Sequence, residues 1–204
     1  MIKCRSVGIE VLFILLSIFV LGIGCAKESR EQEMIRLGYN AIDSAQTKTL
    51  LHEPQKFDFL GNAFEVVPPV GFMMKETAFE NVKLISFYHQ DNSYHNSYNI
   101  NITIYIPQEG SETTSSVIES IIAPYKKHYI NYIQREIKPF ANNNLVFAGA
   151  SYSGQIDTFA LCGMVFVASN KKVFYIIAST CSIEKREQFE MTCLDFVKSI
   201  KIIE

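Results

Sequence analysis

Chemistry in this chain has to come from a short list of side chains: five cysteines, four histidines and scattered serines and tyrosines. The cysteines are Cys4, Cys25, Cys162, Cys181 and Cys193. A thiol can be acylated, oxidised to a disulfide or buried as a small hydrophobe. The histidines are His52, His89, His95 and His128. His89 and His95 flank a polar stretch with Asp91, but no HExxH or paired ligand spacing accompanies them, so they read as loop imidazoles in solvent. Gly149-Ala150-Ser151-Tyr152-Ser153 has the outline of a nucleophile elbow. Ser153 stands where the second glycine is needed, and Gln155 leads into another strand rather than a helix. There is no P-loop and no GxGxxG. The reading is a non-enzymatic protein with no metal and no cofactor.

The remaining chemistry is that of Cys25. Lys3 and Arg5 precede Val11 to Gly24, a stretch of 14 residues without a charge. A basic start and an apolar run of this length form a secretory signal, and the run is shorter than the roughly 20 residues a membrane span needs. Leu21-Gly22-Ile23-Gly24-Cys25 resembles the bacterial lipobox, in which small or aliphatic residues precede an obligatory cysteine. The resemblance implies cleavage after Gly24, diacylglyceryl attachment to the Cys25 thiol and acylation of the new amino terminus, palmitate being one such acyl chain. Two or more chains anchor stably, at roughly 0.8 kcal/mol per buried CH2. Residues 1–24 are therefore expected to be a signal peptide. Residues 25–55 read as the lipidated cysteine and a polar tether, and 56–204 as the folded domain. Lys plus Arg number 19 and Asp plus Glu 21, a formal charge of -2. A chain so close to neutral has no broad basic surface, and nucleic acid is not expected as a partner.

The domain shows both strand and helix periodicities. Ala63 to Pro68 and Val82 to His89 read as strands. Asn99 to Ile106 alternates cleanly, with Ile100, Ile102, Ile104 and Ile106 on one face. Asn99, Asn101, Thr103 and Tyr105 fall on the other, which is expected to face water. Thr114 to Lys138 has apolar residues at three- and four-residue steps and reads as an amphipathic helix, kinked or restarted at Pro124. Three further strands follow at about 145–153, 157–168 and 173–180. The last two are apolar on both faces, as central strands are. Ser182 is placed to cap a closing helix, 183–200, that buries Phe189, Cys193, Phe196, Val197 and Ile200.

That order, β-β-β-α-β-β-β-α, describes an α+β domain with helices packed on an antiparallel sheet of roughly six strands. With Asn170-Lys171 as the loop between the last two strands, Cys162 stands opposite Ser179 and Cys181 opposite Ala160. The two cysteines are then diagonal on one face, and a bulge would bring them into register. Cys193 lies twelve residues beyond Cys181, most of them helical, which puts it roughly 15 Å along the axis. A Cys162–Cys181 bridge and three reduced thiols are both open.

Pro69-Val70-Gly71-Phe72, ending the first strand, and Asp195-Phe196-Val197-Lys198-Ser199-Ile200, closing the last helix after a long hairpin, resemble the PsbP/DcrB-like superfamily over about 57–203. The resemblance implies an α/β/α sandwich, often on an exported lipoprotein, with an accessory role beside membrane complexes. The expectation is a tethered interaction module for an envelope protein complex, lipid-anchored through Cys25 in the bilayer. In a two-membrane envelope this is the periplasmic face of the outer membrane. Tyr94 and Tyr98, in the polar stretch after the second strand, are the expected partner contacts. The alternative is a carrier holding a small apolar ligand between sheet and helix.

Overall fold

A computed structural model of the chain describes residues 48–49, 52–89, 99–107, 112–170 and 173–203. Cys25, the lipobox, His95, Tyr94 and Tyr98 lie outside the described residues. So do the undescribed parts of the stretches assigned to the signal and tether.

The sheet is larger than six strands. Eight antiparallel strands run in the order β1-β4-β5-β6-β10-β9-β8-β7, and three more form a second sheet, β11-β3-β2. The strands are β1 Lys48–Thr49, β2 Gln55–Phe59, β3 Asn62–Val66, β4 Phe72–Phe79, β5 Val82–His89 and β6 Asn99–Tyr105. After the helix α1 (Thr114–His128) come β7 Ile130–Asn142, β8 Leu145–Ile156, β9 Phe159–Asn170 and β10 Val173–Ser182. Helix α2 (Arg186–Ser199) and β11 (Lys201–Ile203) close the chain. Strand β1 pairs with Met73 and Met74 of β4, so the sheet reaches back into the stretch read as a tether.

Two of the unexpected strands are made by short hairpins. Gln55–Phe59 turns back on β3 through Leu60 and Gly61, both at positive φ (52° and 75°). That is the backbone of a two-residue hairpin turn whose twist matches the strands. Strand β4 pairs with β5 across Glu80-Asn81, with Glu80 at φ 37°. The Pro-x-Gly-aromatic motif is the turn leading into β4: Gly71 takes φ 79°, and the Phe72 amide donates to the Pro69 carbonyl at 3.3 Å.

The expected long helix ends at His128. Thr113 caps it, accepting from the Ser116 amide while Ser116 Oγ accepts from the Thr113 amide. Lys126, Lys127 and His128 set positive charge against the carboxyl end of its dipole. Pro124 is carried within this one helix and starts no second one. Beyond it the residues are aromatic and β-branched, and Asn131 takes φ 54°, which no helix continues through. Residues 130–142 are therefore the edge strand β7. Its register slips twice against β8, once around Asn131 and once around Pro139, where a residue without an amide hydrogen is tolerated. The stepwise spacing of Ile133 and Ile137 belongs to no helix.

Ser182 makes no side-chain cap. A 3-10 turn, Ile183–Lys185, intervenes, and α2 begins at Arg186, whose Nε lies 2.7 Å from Glu190 Oε1 one turn on. The stripe Phe189, Cys193, Phe196, Val197 and Ile200 is buried as expected. The other end of α2 is held by Asn142 and Asn143 in the β7–β8 turn, whose side-chain amides donate to the carbonyls of Val197 and Ile200 at 2.9 to 3.1 Å.

The two helices lie on opposite faces of the large sheet, because the cores they join use alternate residues of the same strands. Among the described residues no helix is long and apolar enough to cross a membrane.

Candidate functional site

The face under α2 is filled mainly by hydrocarbon. Ile100, Ile102 and Ile104 of β6 meet Phe87, Tyr175 and Ile177 from the neighbouring strands, with the small sheet and α2 above. Phe57 stacks on Phe64 at 5.2 Å, and Phe87 meets Phe196 edge-on at 5.0 Å. Such ring pairs add to the area they bury.

The face under α1 has two halves. Over β8 and β9 it is packed with tyrosine. Tyr125 and Tyr129, four residues apart, project from the end of the helix, and Tyr152 rises from β8 to stack on Tyr125 at 4.5 Å. Room for these rings comes from two glycines. A Cβ on Gly154 would sit 2.6 Å from Tyr129 Cδ2, and one on Gly163 would overlap the Tyr152 hydroxyl end and the Ser179 carbonyl. Tyr152 Oη reaches Thr180 Oγ1 at 3.1 Å. Burial raises the pKa of all three tyrosines. For Tyr152 the neighbouring Tyr125 and Tyr129 add to this.

Over β4, β5 and β6 the same face turns polar. Pairing sets Lys75 beside Ser86, Ser86 beside Asn101, and Asn101 beside Ala178. One step along, it sets Tyr88 beside Asn99, and Asn99 beside Thr180. The polar edge of β6 is thus not in water: Asn99 is 8% exposed, Asn101 6% and Thr103 1%. In the sheet order β6 lies between β5 and β10, and every residue of the strand is buried. The Asn101 side-chain amide makes one long bond to Asn99 Oδ1, 3.5 Å, and its own Oδ1 has no partner. Lys75 Nζ stands 5.9 Å from the centre of the Tyr88 ring.

Three buried side-chain oxygens among the described residues lack a partner: Asn101 Oδ1, Glu112 Oε2 and Tyr129 Oη. All three are on the α1 side. Glu112 precedes the helix and accepts from Tyr105 Oη at 3.0 Å; burial raises its pKa, against the lowering effect of that bond. Leaving a buried polar group unpaired costs about 1–3 kcal/mol, and native folds keep few such groups.

The expected partner contacts, Tyr94 and Tyr98, belong to the undescribed stretch between His89 and Asn99. Its ends are the ends of β5 and β6, beside Tyr88 and Asn99 of this polar row. Sequence reading missed the row itself. Its signal was two asparagines at alternate positions of a strand, a residue type depleted in sheets, which had been assigned to solvent.

Of the histidines, His52 Nδ1 lies 2.8 Å from the Pro68 carbonyl and His128 ends α1. Ser151 and Ser153 lie inside β8, away from any turn. Among the described residues no group of three His, Cys, Asp or Glu is placed to hold a metal.

The cysteines are closer than the sequence suggested. Asn170 pairs with Val173, so the loop is Lys171-Lys172 and every pair shifts by two. Cys162 is then directly opposite Cys181 with no bulge, and their sulfurs are 3.1 Å apart. Cys193 is not carried away along α2. The helix folds back over the hairpin, and Cys193 Sγ donates to Ser179 Oγ at 3.2 Å, two residues from Cys181.

No protein-family model matches the chain, and no curated protein sequence matches it. Solved structures do. Cyanobacterial PsbP (CyanoP) from Synechocystis sp. PCC 6803 superposes with a TM-score of 0.50 at 11% identity, over 75% of this chain and 94% of that one. LpqN of Mycobacterium tuberculosis, a protein involved in cell envelope biogenesis, gives 0.51 at 7% identity, over 81% and 96%. At these identities the likeness is one of fold. The chain has a PsbP-like fold, with the helices and sheet that the resemblance implied and more strands.

Proposed function

We propose that this protein is a non-enzymatic lipoprotein, tethered by acylated Cys25, whose folded domain binds a protein component of a bacterial envelope complex. The observation that carries the binding role is Asn101 Oδ1, a buried oxygen without a partner on the α1 face, two residues from the Asn99 end of the β5–β6 connection that bears Tyr94 and Tyr98. On the α2 face the buried Ser179 hydroxyl is paired, with Cys193 and the Met164 carbonyl, whereas Asn101 Oδ1 is left open on the α1 face, whose half-buried margin at Lys75 and Tyr88 is within reach of a partner. The Leu21–Cys25 sequence supports the tether and export. The PsbP-like fold supports an accessory role by analogy of architecture alone.

Two measurements test this reading. Fractionation of cells expressing the full chain should find it in the membrane pellet. Cys25→Ala should move it to the soluble fraction with its melting temperature unchanged; membrane retention of that variant contradicts the tether. Crosslinking in the native membrane, followed by capture and mass spectrometry, should identify one protein partner, lost in the Tyr94→Ala/Tyr98→Ala variant. A stoichiometric small apolar molecule in the native mass spectrum, with no protein partner, would replace this reading with that of a carrier.

A further inference from the structure

We infer that Cys162 and Cys181 are a disulfide-forming pair that staples the β9–β10 hairpin, while Cys193 stays a thiol. Residues directly opposite on antiparallel strands have Cα atoms about 4.5 or 5.5 Å apart, both inside the range a disulfide spans. Here the two side chains share the α2 face and their sulfurs are already 3.1 Å apart. Closing the bond therefore needs a side-chain adjustment and no change of register. Cys193 is placed differently. Its thiol points to Ser179 Oγ, and burial pushes its pKa up to about 12.

The pair is also chemically unequal. The hydrogen bond from Cys181 lowers the Cys162 pKa against the effect of burial, and the nearby Arg186 guanidinium lowers it further. Cys181 keeps its proton, its pKa raised by the same bond and by burial. With a small disulfide such as oxidised glutathione as oxidant, one thiolate of the pair attacks an oxidant sulfur and expels a glutathione thiolate, which takes up a proton. The other cysteine then loses its proton and attacks the first cysteine's sulfur in the mixed disulfide, expelling the second glutathione as a thiolate that takes up that proton. Two thiols are oxidised, one glutathione disulfide is reduced to two thiols, and no other reactant enters. Cys162 is 3% exposed and Cys181 0%. The oxidant reaches them while the chain folds, and only slowly afterwards.

The test does not depend on the tether. The full chain is refolded with oxidised and reduced glutathione, alkylated without reduction and cut with trypsin. Lys171, Lys172 and Lys185 leave the three cysteines on separate peptides. The expected product links the Cys162 peptide to the Val173–Lys185 peptide and leaves Cys193 alkylated. Reduction should lower the melting temperature by roughly 5–10 °C. Cys193→Ala should leave the bridge in place. Alkylation of all of Cys162, Cys181 and Cys193 after refolding, or a bridge through Cys193, would overturn the assignment.

Discussion

The two faces of the eight-stranded sheet solve the same packing problem with different chemistry. Under α2, Phe57, Phe64, Phe87, Phe166 and Phe196 fill most of the space, with Tyr175 and Ser179 the few polar side chains among them. Under α1, Tyr105, Tyr125, Tyr129 and Tyr152 do the filling, each with a hydroxyl to satisfy, and Ser86, Asn99 and Asn101 continue the face as a buried polar row. The α2 face is the more apolar of the two. The tyrosine and asparagine face gives up some stability and keeps hydrogen-bonding groups in mid-sheet.

That contrast is broken most readily by mutations in the α2 core. Ile102→Asn on the α2 face buries an unpaired amide in hydrocarbon, and Phe87→Ala opens a cavity between Phe57 and Phe196. Each should cost about 3–5 kcal/mol in equilibrium urea unfolding. Gly163→Ala should cost less, about 1–3 kcal/mol, because the new methyl overlaps both the Tyr152 ring and the Ser179 carbonyl. If Gly163→Ala proves neutral, Tyr152 does not lie where the stack requires.

The tyrosine half has its own pH signature. Burial raises the pKa values of Tyr125, Tyr129 and Tyr152 above the ordinary tyrosine value of about 10. A raised tyrosine pKa means the unfolded chain loses its protons first. The contribution is present in full below pH 10 and is lost as pH rises above it. Melting temperatures measured from pH 8 to 11 should fall beyond pH 10, and Tyr152→Phe should soften the fall.

The smallest effect on stability should come from Asn101→Leu. Its oxygen has no partner to lose, so the change should stay within about 1 kcal/mol or stabilise the fold. Partner crosslinking should nevertheless drop. A loss of stability as large as that of Ile102→Asn would mean that the polar row is structural.

Much of this architecture was legible in the sequence, and the misses share a cause. The apolar stripe of α2, the doubly buried strands β9 and β10 and the Pro-Val-Gly-Phe turn all follow from strong local patterns. Strand β2 was missed because Gln55–Phe59 has only Phe57 and Phe59 to announce it, inside a polar stretch. Residues 130–138 carry a helical signal because Ile133 and Ile137 fall at a helical step, although Asn131 and the β-branched residues argue for the strand that the fold shows. The polar row was assigned to water because alternation reports which residues share a face, not whether that face is covered. Nor does it fix register: one loop residue misassigned at Lys172 separated two cysteines that the fold sets opposite each other.

The central claim is that the polar half of the α1 face, and not the small sheet, meets the partner. A photoreactive residue placed at Lys75, beside Ser86 and over Tyr88, is compared in the native membrane with one at Lys56, exposed on β2 of the small sheet. The account predicts that the Lys75 position captures one protein reproducibly and the Lys56 position does not. Capture from Lys56 alone, equal capture from both, or none from either would contradict it.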